Sequence, residues 1–143
     1  MKCFITGVTG QDGRLLADNL VRSGAKVFGT SRLSQIPTDN FFQSLHSNPN
    51  FEFFTLDTTN YKEVHDALDT IQPNEIYHLS GQSSVGKSFS FPYETYISNT
   101  TSTLILLEFI RKSRSNTKMF NAVSSDIFGE SPEGSNAKTE HNP

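Results

Sequence analysis

The sequence is poor in the residues that mark several large classes of protein. Its 143 residues include one cysteine, Cys3, and no tryptophan. A single cysteine excludes an internal disulfide and a zinc site built from several cysteines, and its simplest setting is a reducing cytoplasm. No apolar run approaches the roughly 20 residues of a membrane span, and the N-terminus lacks the long apolar segment of a signal peptide. We therefore expect no association with a membrane.

Charge of one sign is not in large excess either. Twelve basic and fifteen acidic residues give a formal net charge of −3, which excludes a strongly basic nucleic-acid-binding protein. Charged residues make up 19% and aromatic residues 11% of the chain, a composition unlike that of disordered chains. The length fits one ordinary domain with its own hydrophobic core.

Short apolar segments alternate along the chain with stretches of helical periodicity. Val64, Leu68 and Ile71 share one face of a predicted helix that Asn60 would cap and Pro73 would end. We predict strands at 2–6, 25–30, 51–55, 75–79 and 118–123, helices at 13–23, 61–72 and 92–112, and a short helix near 41–45. This order predicts an α/β fold with a doubly wound parallel sheet, whose ligands bind beyond the carboxyl ends of the strands.

The loop after the first strand carries three glycines in a GxxGxxG pattern. It consists of Gly7, Val8, Thr9, Gly10, Gln11, Asp12 and Gly13 and leads directly into a helix. Such glycines allow a tight turn, a close approach of the backbone to a diphosphate, and close packing of helix on strand. The helix N-terminus supplies free N–H groups and a partial positive charge. Turns alone also require glycine, but this position between a strand and a helix predicts a dinucleotide diphosphate site.

The residues after the second and third strands bear on the choice of dinucleotide. An acidic residue that would bond the ribose 2′-hydroxyl of NAD is absent after the second strand, where Arg32 stands instead. Arg32 could pair with a 2′-phosphate, which favours NADP; the alternative is a solvated arginine at the start of a loop. Asp57 and Thr58 follow the third strand. Asp57 either accepts a hydrogen bond from the adenine amino group or caps the approach to the next helix.

A second phosphate-binding pattern follows the fourth strand. Residues 81–88 read GQSSVGKS and match GxxxxGKS, the pattern of a P-loop. A P-loop must lead into a helix whose N-terminus faces the phosphates, and Pro92 would disrupt such a helix within about a turn. We interpret the match as accidental. The alternative is a P-loop with Asp126 holding magnesium.

Taken together, these motifs resemble the extended short-chain dehydrogenase/reductases, and most of all the GDP-mannose 4,6-dehydratases. The resemblance rests on the segments ITGVTGQDG, YHLSGQSSV and SSDIFGE, which follow or include the first, fourth and fifth strands. It implies a Rossmann fold and an NADP site along the glycine loop, Arg32 and Asp57, and along the loop that contains Leu79, Gly81, Gln82 and Ser83.

The resemblance also implies a reaction. The family oxidises the sugar C4 hydroxyl with NADP⁺, eliminates water across C5 and C6, and returns the hydride to C6. Ser124 stands where the family has a threonine and would bond the substrate O4. Asp126 stands where the family has a glutamate and would remove the C5 proton and assist loss of the C6 hydroxyl. The substrate implied is a nucleotide sugar, GDP-mannose, and the full-length enzyme is expected to be a homo-oligomer.

One family motif is missing from the 143 residues. No tyrosine is followed four positions later by a lysine, although the family's Tyr-x-x-x-Lys pair acts with the threonine and glutamate. We therefore expect residues 1–143 to be an NADP-binding domain without the Tyr-x-x-x-Lys helix and without a C-terminal substrate domain, and inactive alone. The alternatives are a 4-keto-sugar reductase, a 4-epimerase, or a catalytically silent NADP-binding module. The four histidines share no metal-ligand spacing, so no metal site is expected.

Overall fold

The computed structural model describes residues 1–113 and 116–124. The strands are β1 (Lys2–Thr6), β2 (Lys26–Ser31), β3 (Phe51–Thr55), β4 (Glu75–His78) and β5 (Lys118–Asn121). The helices are α1 (Gln11–Arg22), α2 (Asn40–His46), α3 (Tyr61–Ile71), α4 (Val85–Ser90), α5 (Pro92–Tyr96) and α6 (Ser102–Ser113), and a π-helical turn, Ile97–Thr101, joins the last two. No helix within these two ranges is long and apolar enough to cross a membrane.

The five strands form one parallel sheet in the order β3-β2-β1-β4-β5. The chain moves outward from β1 to β3 and then crosses back to place β4 on the other side of β1. Strand order therefore reverses between β1 and β4, which is where a crevice opens at the carboxyl edge of such a sheet. The predicted doubly wound fold is confirmed.

Helices cover the sheet on both faces and enclose two apolar cores. On one face, α1 and α2 bury Ile5, Val27 and Phe42. On the other face, α3 and α6 bury Phe4 and Leu106 with their neighbours. The central strand β1 is an almost unbroken apolar run because both of its faces are covered.

The helix boundaries follow local chemistry where the sequence carries a clear signal. Asn60 accepts a hydrogen bond from the backbone N–H of Glu63 and begins α3, as expected. Gln72 adopts a left-handed conformation with φ of 51° and ends α3 one residue before Pro73. The short helix expected near 41–45 is α2, which Asp39 caps by accepting from the N–H of Phe42.

The segment between β4 and β5 differs from the prediction in two ways. The single helix expected at 92–112 is interrupted by the π-helical turn, which local periodicity does not reveal. Helix α4 was missed because its six residues are too few to show a periodic pattern. Ser84 caps α4 and Pro92 begins the next helix, so a proline sets the boundary between the two.

Candidate functional site

Two adjoining clefts open at the carboxyl edge of the sheet, on either side of the point where strand order reverses. The smaller cleft, beside β2 and β3, has a volume of about 340 Å³, and the larger one, beside β4 and β5, about 800 Å³. Both are lined by residues of the loops after β1 and β4, namely Gly7, Gly10, Leu79, Ser80, Gly81 and Ser83. An elongated ligand with two halves would therefore lie across the glycine loop.

The glycine loop is shaped by contacts that leave no room for side chains at two positions. Gly7 has φ of +72°, and a Cβ there would lie 2.9 Å from the backbone N of Ser80. A Cβ at Gly13 would lie 2.4 Å from the carbonyl O of Gly7, so α1 packs directly on the loop. These two glycines bring β1, α1 and the loop after β4 together, as the GxxGxxG pattern predicts.

The start of α1 is open to the clefts. Gly10 occupies the N-cap position and offers no side-chain cap, so the first N–H groups of α1 are left for other acceptors. Gln11, Asp12 and Gly13 line the larger cleft, and Thr9 lines the smaller one. An anion at the junction of the clefts would meet these N–H groups and the positive end of the helix.

Val8 has a different position from the rest of the predicted loop. Its side chain is fully buried in the core under α1, and its N–H donates to the carbonyl O of Thr30 at 3.1 Å. Val8 therefore supports the loop from below, and Gly29 opposite it is a glycine because a Cβ would lie 2.8 Å from the Val8 methyl groups. The sequence pattern alone does not separate this supporting residue from the lining ones.

The smaller cleft carries the residues predicted to select the dinucleotide. Arg32 lines this cleft directly after β2, and its side chain is exposed. Within the part of the chain that the structure describes, the Arg32 guanidinium has no hydrogen-bond or ion-pair partner. Ser31 precedes it, accepts from the N–H of Leu33 at 3.2 Å and contacts the Thr9 hydroxyl at 3.3 Å. Arg32 thus lies at the cleft with a side chain that makes no contact with another charged or polar group of the described residues.

Asp57 and Thr58 line the same cleft after β3. One carboxylate oxygen of Asp57 accepts from both the N–H and the hydroxyl of Thr59, at 2.9 and 2.8 Å. This turn leads into the N-cap of α3, so the structural alternative given for Asp57 is present in the fold. The second carboxylate oxygen accepts no hydrogen bond from the described residues, so this turn is compatible with a ligand contact by Asp57.

The loop after β4 is held by a residue that the sequence did not single out. The Asn99 side-chain amide pairs with the backbone of Gln82: Oδ1 accepts from the N–H at 2.7 Å and Nδ2 donates to the C=O at 3.0 Å. A Cβ at Gly81 would stand 3.0 Å from Asn99 Oδ1, so a side chain there would require Asn99 to shift by a few tenths of an ångström. Asn99 lies in the π-helical turn, a feature that is frequent at functional sites. A lone asparagine within a predicted helix gave no signal for this contact.

A buried polar network joins the floors of the clefts. His78 Nδ1 lies 2.7 Å from the Thr6 hydroxyl, and His78 Nε2 lies 3.0 Å from the Ser102 hydroxyl. Because Ser102 donates to the carbonyl O of Ser98, Nε2 must carry the histidine proton and Nδ1 must accept from Thr6. Thr6 Oγ1 in turn accepts from the N–H groups of Leu79 and Ser80, each at 3.2 Å.

This arrangement keeps His78 neutral. The side chain is buried, and removal from water lowers the pKa of His78 to about 4. His78 therefore has a structural role and supports the loop after β4 through Thr6.

The GxxxxGKS segment is not built as a phosphate loop. Gly86, Lys87 and Ser88 already lie inside α4. Three of its backbone N–H groups have protein acceptors: that of Gln82 bonds Asn99, that of Ser84 bonds the Gln82 side chain at 2.5 Å, and that of Lys87 bonds the Ser84 hydroxyl at 3.4 Å. The structure therefore supports the interpretation of this match as accidental.

The two predicted catalytic residues follow β5. Ser124 lines the larger cleft together with Asn121, Ala122 and Val123. Asp126 lies outside the described residues. Over residues 1–113 and 116–124, no group of three or more His, Cys, Asp or Glu side chains is arranged to hold a metal ion.

Comparison with known sequences identifies the family. The sequence model of the family described as GDP-mannose 4,6 dehydratase matches residues 4–143. The GDP-mannose 4,6-dehydratase of Yersinia enterocolitica is 36% identical over 135 residues, which are 90% of this chain and 36% of that protein. The GDP-mannose 4,6 dehydratase 2 of Caenorhabditis elegans is 36% identical over 88% of this chain and 35% of its own length. The chain thus spans about a third of the length of these curated relatives.

Comparison with solved structures supports the fold. The UDP-glucose 4-epimerase of Thermus thermophilus, solved with NAD, aligns with a TM-score of 0.81 and 26% identity over all of this chain and 44% of its own. A UDP-Glc/GlcNAc 4-epimerase from Campylobacter jejuni aligns with a TM-score of 0.85 and 21% identity over 99% of this chain and 42% of its own, which shows a shared fold. With this Rossmann-type fold and a family match over residues 4–143, the chain belongs to the GDP-mannose 4,6-dehydratase family.

Proposed function

We propose that this chain forms the NADP-binding part of a nucleotide-sugar 4,6-dehydratase, a lyase that converts GDP-mannose to GDP-4-keto-6-deoxymannose. The observation that carries the proposal is the pair of clefts meeting over the uncapped start of α1. The family match to residues 4–143 and the GDP-mannose 4,6-dehydratases at 36% identity favour this reaction over the 4-epimerase and 4-keto-reductase alternatives.

The residues of the clefts fit a dinucleotide. The diphosphate would lie against Gly10 and the first N–H groups of α1, where the backbone is open to the ligand. The adenosine would occupy the smaller cleft between Arg32 and Asp57, and the nicotinamide would occupy the larger cleft near Ser124. The Arg32 guanidinium has no partner among the residues that the structure describes, and this supports NADP over NAD because a charged fork of donors matches a 2′-phosphate.

NADP⁺, when bound, would supply the hydride acceptor for oxidation at the sugar C4. Ser124 would hold the C4 oxygen of the sugar by a hydrogen bond at the edge of the larger cleft. Asp126 would take the proton from C5 and donate a proton to the departing C6 hydroxyl, since one carboxyl group can alternate between base and acid. We further propose a cytoplasmic setting, in keeping with the single free Cys3, and a homo-oligomeric full-length enzyme.

Cofactor binding is tested on the chain itself by titration with NADPH and NADH. We expect preference for NADPH. The Arg32→Ala variant should weaken NADPH binding roughly ten- to a hundredfold, because a bidentate charge-assisted contact to phosphate is worth about 1.5–3 kcal/mol. NADH binding should hardly change. Equal losses for both cofactors would mean that Arg32 packs on the adenine and does not bind the 2′-phosphate.

The chemical step is tested on the product of the complete reading frame that encodes this chain. Asp126→Asn should stop the elimination of water from GDP-mannose and spare NADP binding, whereas Asp126→Glu, which restores the family's residue, should keep activity. Dehydration at the wild-type rate in Asp126→Asn would contradict the catalytic role. A reading frame without Tyr-x-x-x-Lys after Pro143 would instead favour a silent NADP-binding module.

A further inference from the structure

Arg14, in the first turn of α1, contacts three separate parts of the fold. One guanidinium nitrogen donates to the carbonyl O of Thr9 in the glycine loop at 3.0 Å, and another donates to Asp39 Oδ2 at 3.1 Å. The guanidinium carbon also lies 5.9 Å from the centre of the Phe42 ring in α2. Since arginine is planar and carries several donors in a fixed fork, one side chain can hold all three contacts together.

Asp39 is the partner that carries this contact into the next element. Its Oδ1 accepts from the N–H of Phe42 at 3.0 Å and caps α2, while its Oδ2 binds Arg14. The backbone hydrogen bond from Phe42, followed by the charge and hydrogen bond of Arg14, lowers the pKa of Asp39 below its ordinary value. One carboxylate oxygen of Asp39 thus caps α2, and the other binds Arg14 of α1.

The segment between β2 and α2 runs from Arg32 to Asp39 and begins at the smaller cleft. Arg32 and Leu33 at its beginning line the cleft. Its first residues are held by Ser31, which accepts from the N–H of Leu33. Its last residue, Asp39, is held against the glycine loop by Arg14. The segment is thus held at both of its ends, by Ser31 beside the cleft and by Arg14 beside the glycine loop.

We propose that Arg14 and Asp39 form a latch that positions Arg32 and so helps determine the preference for a 2′-phosphorylated dinucleotide. Arg14 does not line either cleft among the described residues; it acts through the segment 32–39 and is a positioning residue. The inference rests on the proposed binding of NADP at the smaller cleft.

The decisive variant is Asp39→Asn, because the latch and simple electrostatics predict opposite changes in NADPH affinity. Asparagine still accepts the N–H of Phe42, so the cap of α2 is kept, but the ion pair is lost. Removal of a negative charge beside a phosphate site would by itself tighten NADPH binding. The latch predicts the reverse: NADPH binding about three- to fivefold weaker, as for loss of one exposed ion pair, with NADH changed less than about twofold.

The matched control is Asp18→Asn, which removes the same charge from an i,i+4 ion pair with Arg22 on α1 and should leave both affinities unchanged. Should Asp39→Asn not fold, Arg14→Lys applies the same test, because one ammonium group cannot bridge Thr9 and Asp39 in the geometry of the guanidinium. Wild-type protein that binds neither NADPH nor NADH would overturn the proposed function. If Asp39→Asn prefers NADPH as strongly as the wild-type protein does, or more strongly, the latch is overturned and the proposed function still stands.

Discussion

The three glycines after β1 differ in what a side chain would meet at each. At Gly7 and Gly13 an added Cβ would collide with backbone atoms of Ser80 or of the loop itself, so glycine there is required by the fold. At Gly10 the nearest atom to an added Cβ is the carbonyl O of Gly7 at 3.2 Å, and the residue lines both clefts. Gly10 is therefore the position where a substitution separates ligand binding from folding.

Replacement of Gly10 by valine should weaken NADPH binding by roughly tenfold or more, because the new methyl groups would occupy the space of the diphosphate. The measurement is a fluorescence titration with NADPH, accompanied by circular dichroism to establish that the variant is folded. Gly86→Val is the matched control, since an added Cβ there meets nothing within 4 Å. If a folded Gly10→Val protein binds NADPH with wild-type affinity, the diphosphate does not bind at this loop.

At the scale of elements, the region between β4 and β5 departs most from a simple helical crossover. A six-residue helix, a proline, a second short helix and a π-helical turn precede α6. The turn brings Ser98 to the smaller cleft and Asn99 to the larger one, where Asn99 holds the backbone of Gln82. The irregular backbone therefore shapes the loop that both clefts share.

Lys87 lies on this region and provides a test of the P-loop alternative. Lys87→Ala should leave NADPH affinity within about twofold of wild type, because Lys87 is an exposed residue of α4 and is not among the residues that line either cleft. Isothermal titration should also detect no magnesium-dependent ATP binding to the wild-type protein. ATP binding that requires magnesium and disappears in Lys87→Ala would restore the P-loop interpretation.

At the scale of the whole molecule, the buried network around His78 joins the central strand to both halves of the site. It connects Thr6 on β1, His78 on β4 and Ser102 on α6, and through Thr6 it holds the N–H groups of Leu79 and Ser80. A proton on Nδ1 would face Thr6 Oγ1, which already accepts from two N–H groups. The folded state therefore disfavours protonated His78.

This preference makes stability depend on pH in a defined direction. The pKa of His78 is about 4 in the folded chain against 6.5 as its ordinary value, so the unfolded chain binds the extra proton as the pH falls. The free energy of unfolding should decrease from about pH 6.5 down to about pH 4, by about 3 kcal/mol from this group, and the contribution should level off below that.

Urea unfolding at a series of pH values measures this dependence. A His78→Asn variant, which keeps an acceptor for Thr6, should lose the decrease between pH 6.5 and 4, while the exposed His46→Gln control should keep it. An identical pH profile in wild type and His78→Asn would show that carboxylates alone account for acid destabilisation.

Much of the fold and part of the site are determined by patterns within a few residues. The apolar strands, the Asn60 cap, the end of α3 before Pro73 and the glycine loop all depend on neighbours close in sequence, so the sequence predicts them. The alternation of strands and helices then leaves few parallel arrangements, because crossovers are right-handed. The placement of Arg32, Asp57 and Leu79 at one edge follows from that arrangement.

The contacts that support the site were decided only by the tertiary structure. Asn99 binds Gln82 across 17 positions, Arg14 binds Asp39 across 25, and Thr6 meets His78 across 72. Each of these side chains has many possible partners in the sequence, and no local periodicity distinguishes the one that the fold supplies. Strand order places β1 between β2 and β4, and that placement brings Thr6 beside His78. The pattern of neighbours along the chain thus determines the elements and the phosphate loop, whereas packing between distant elements decides which polar groups hold that loop in place.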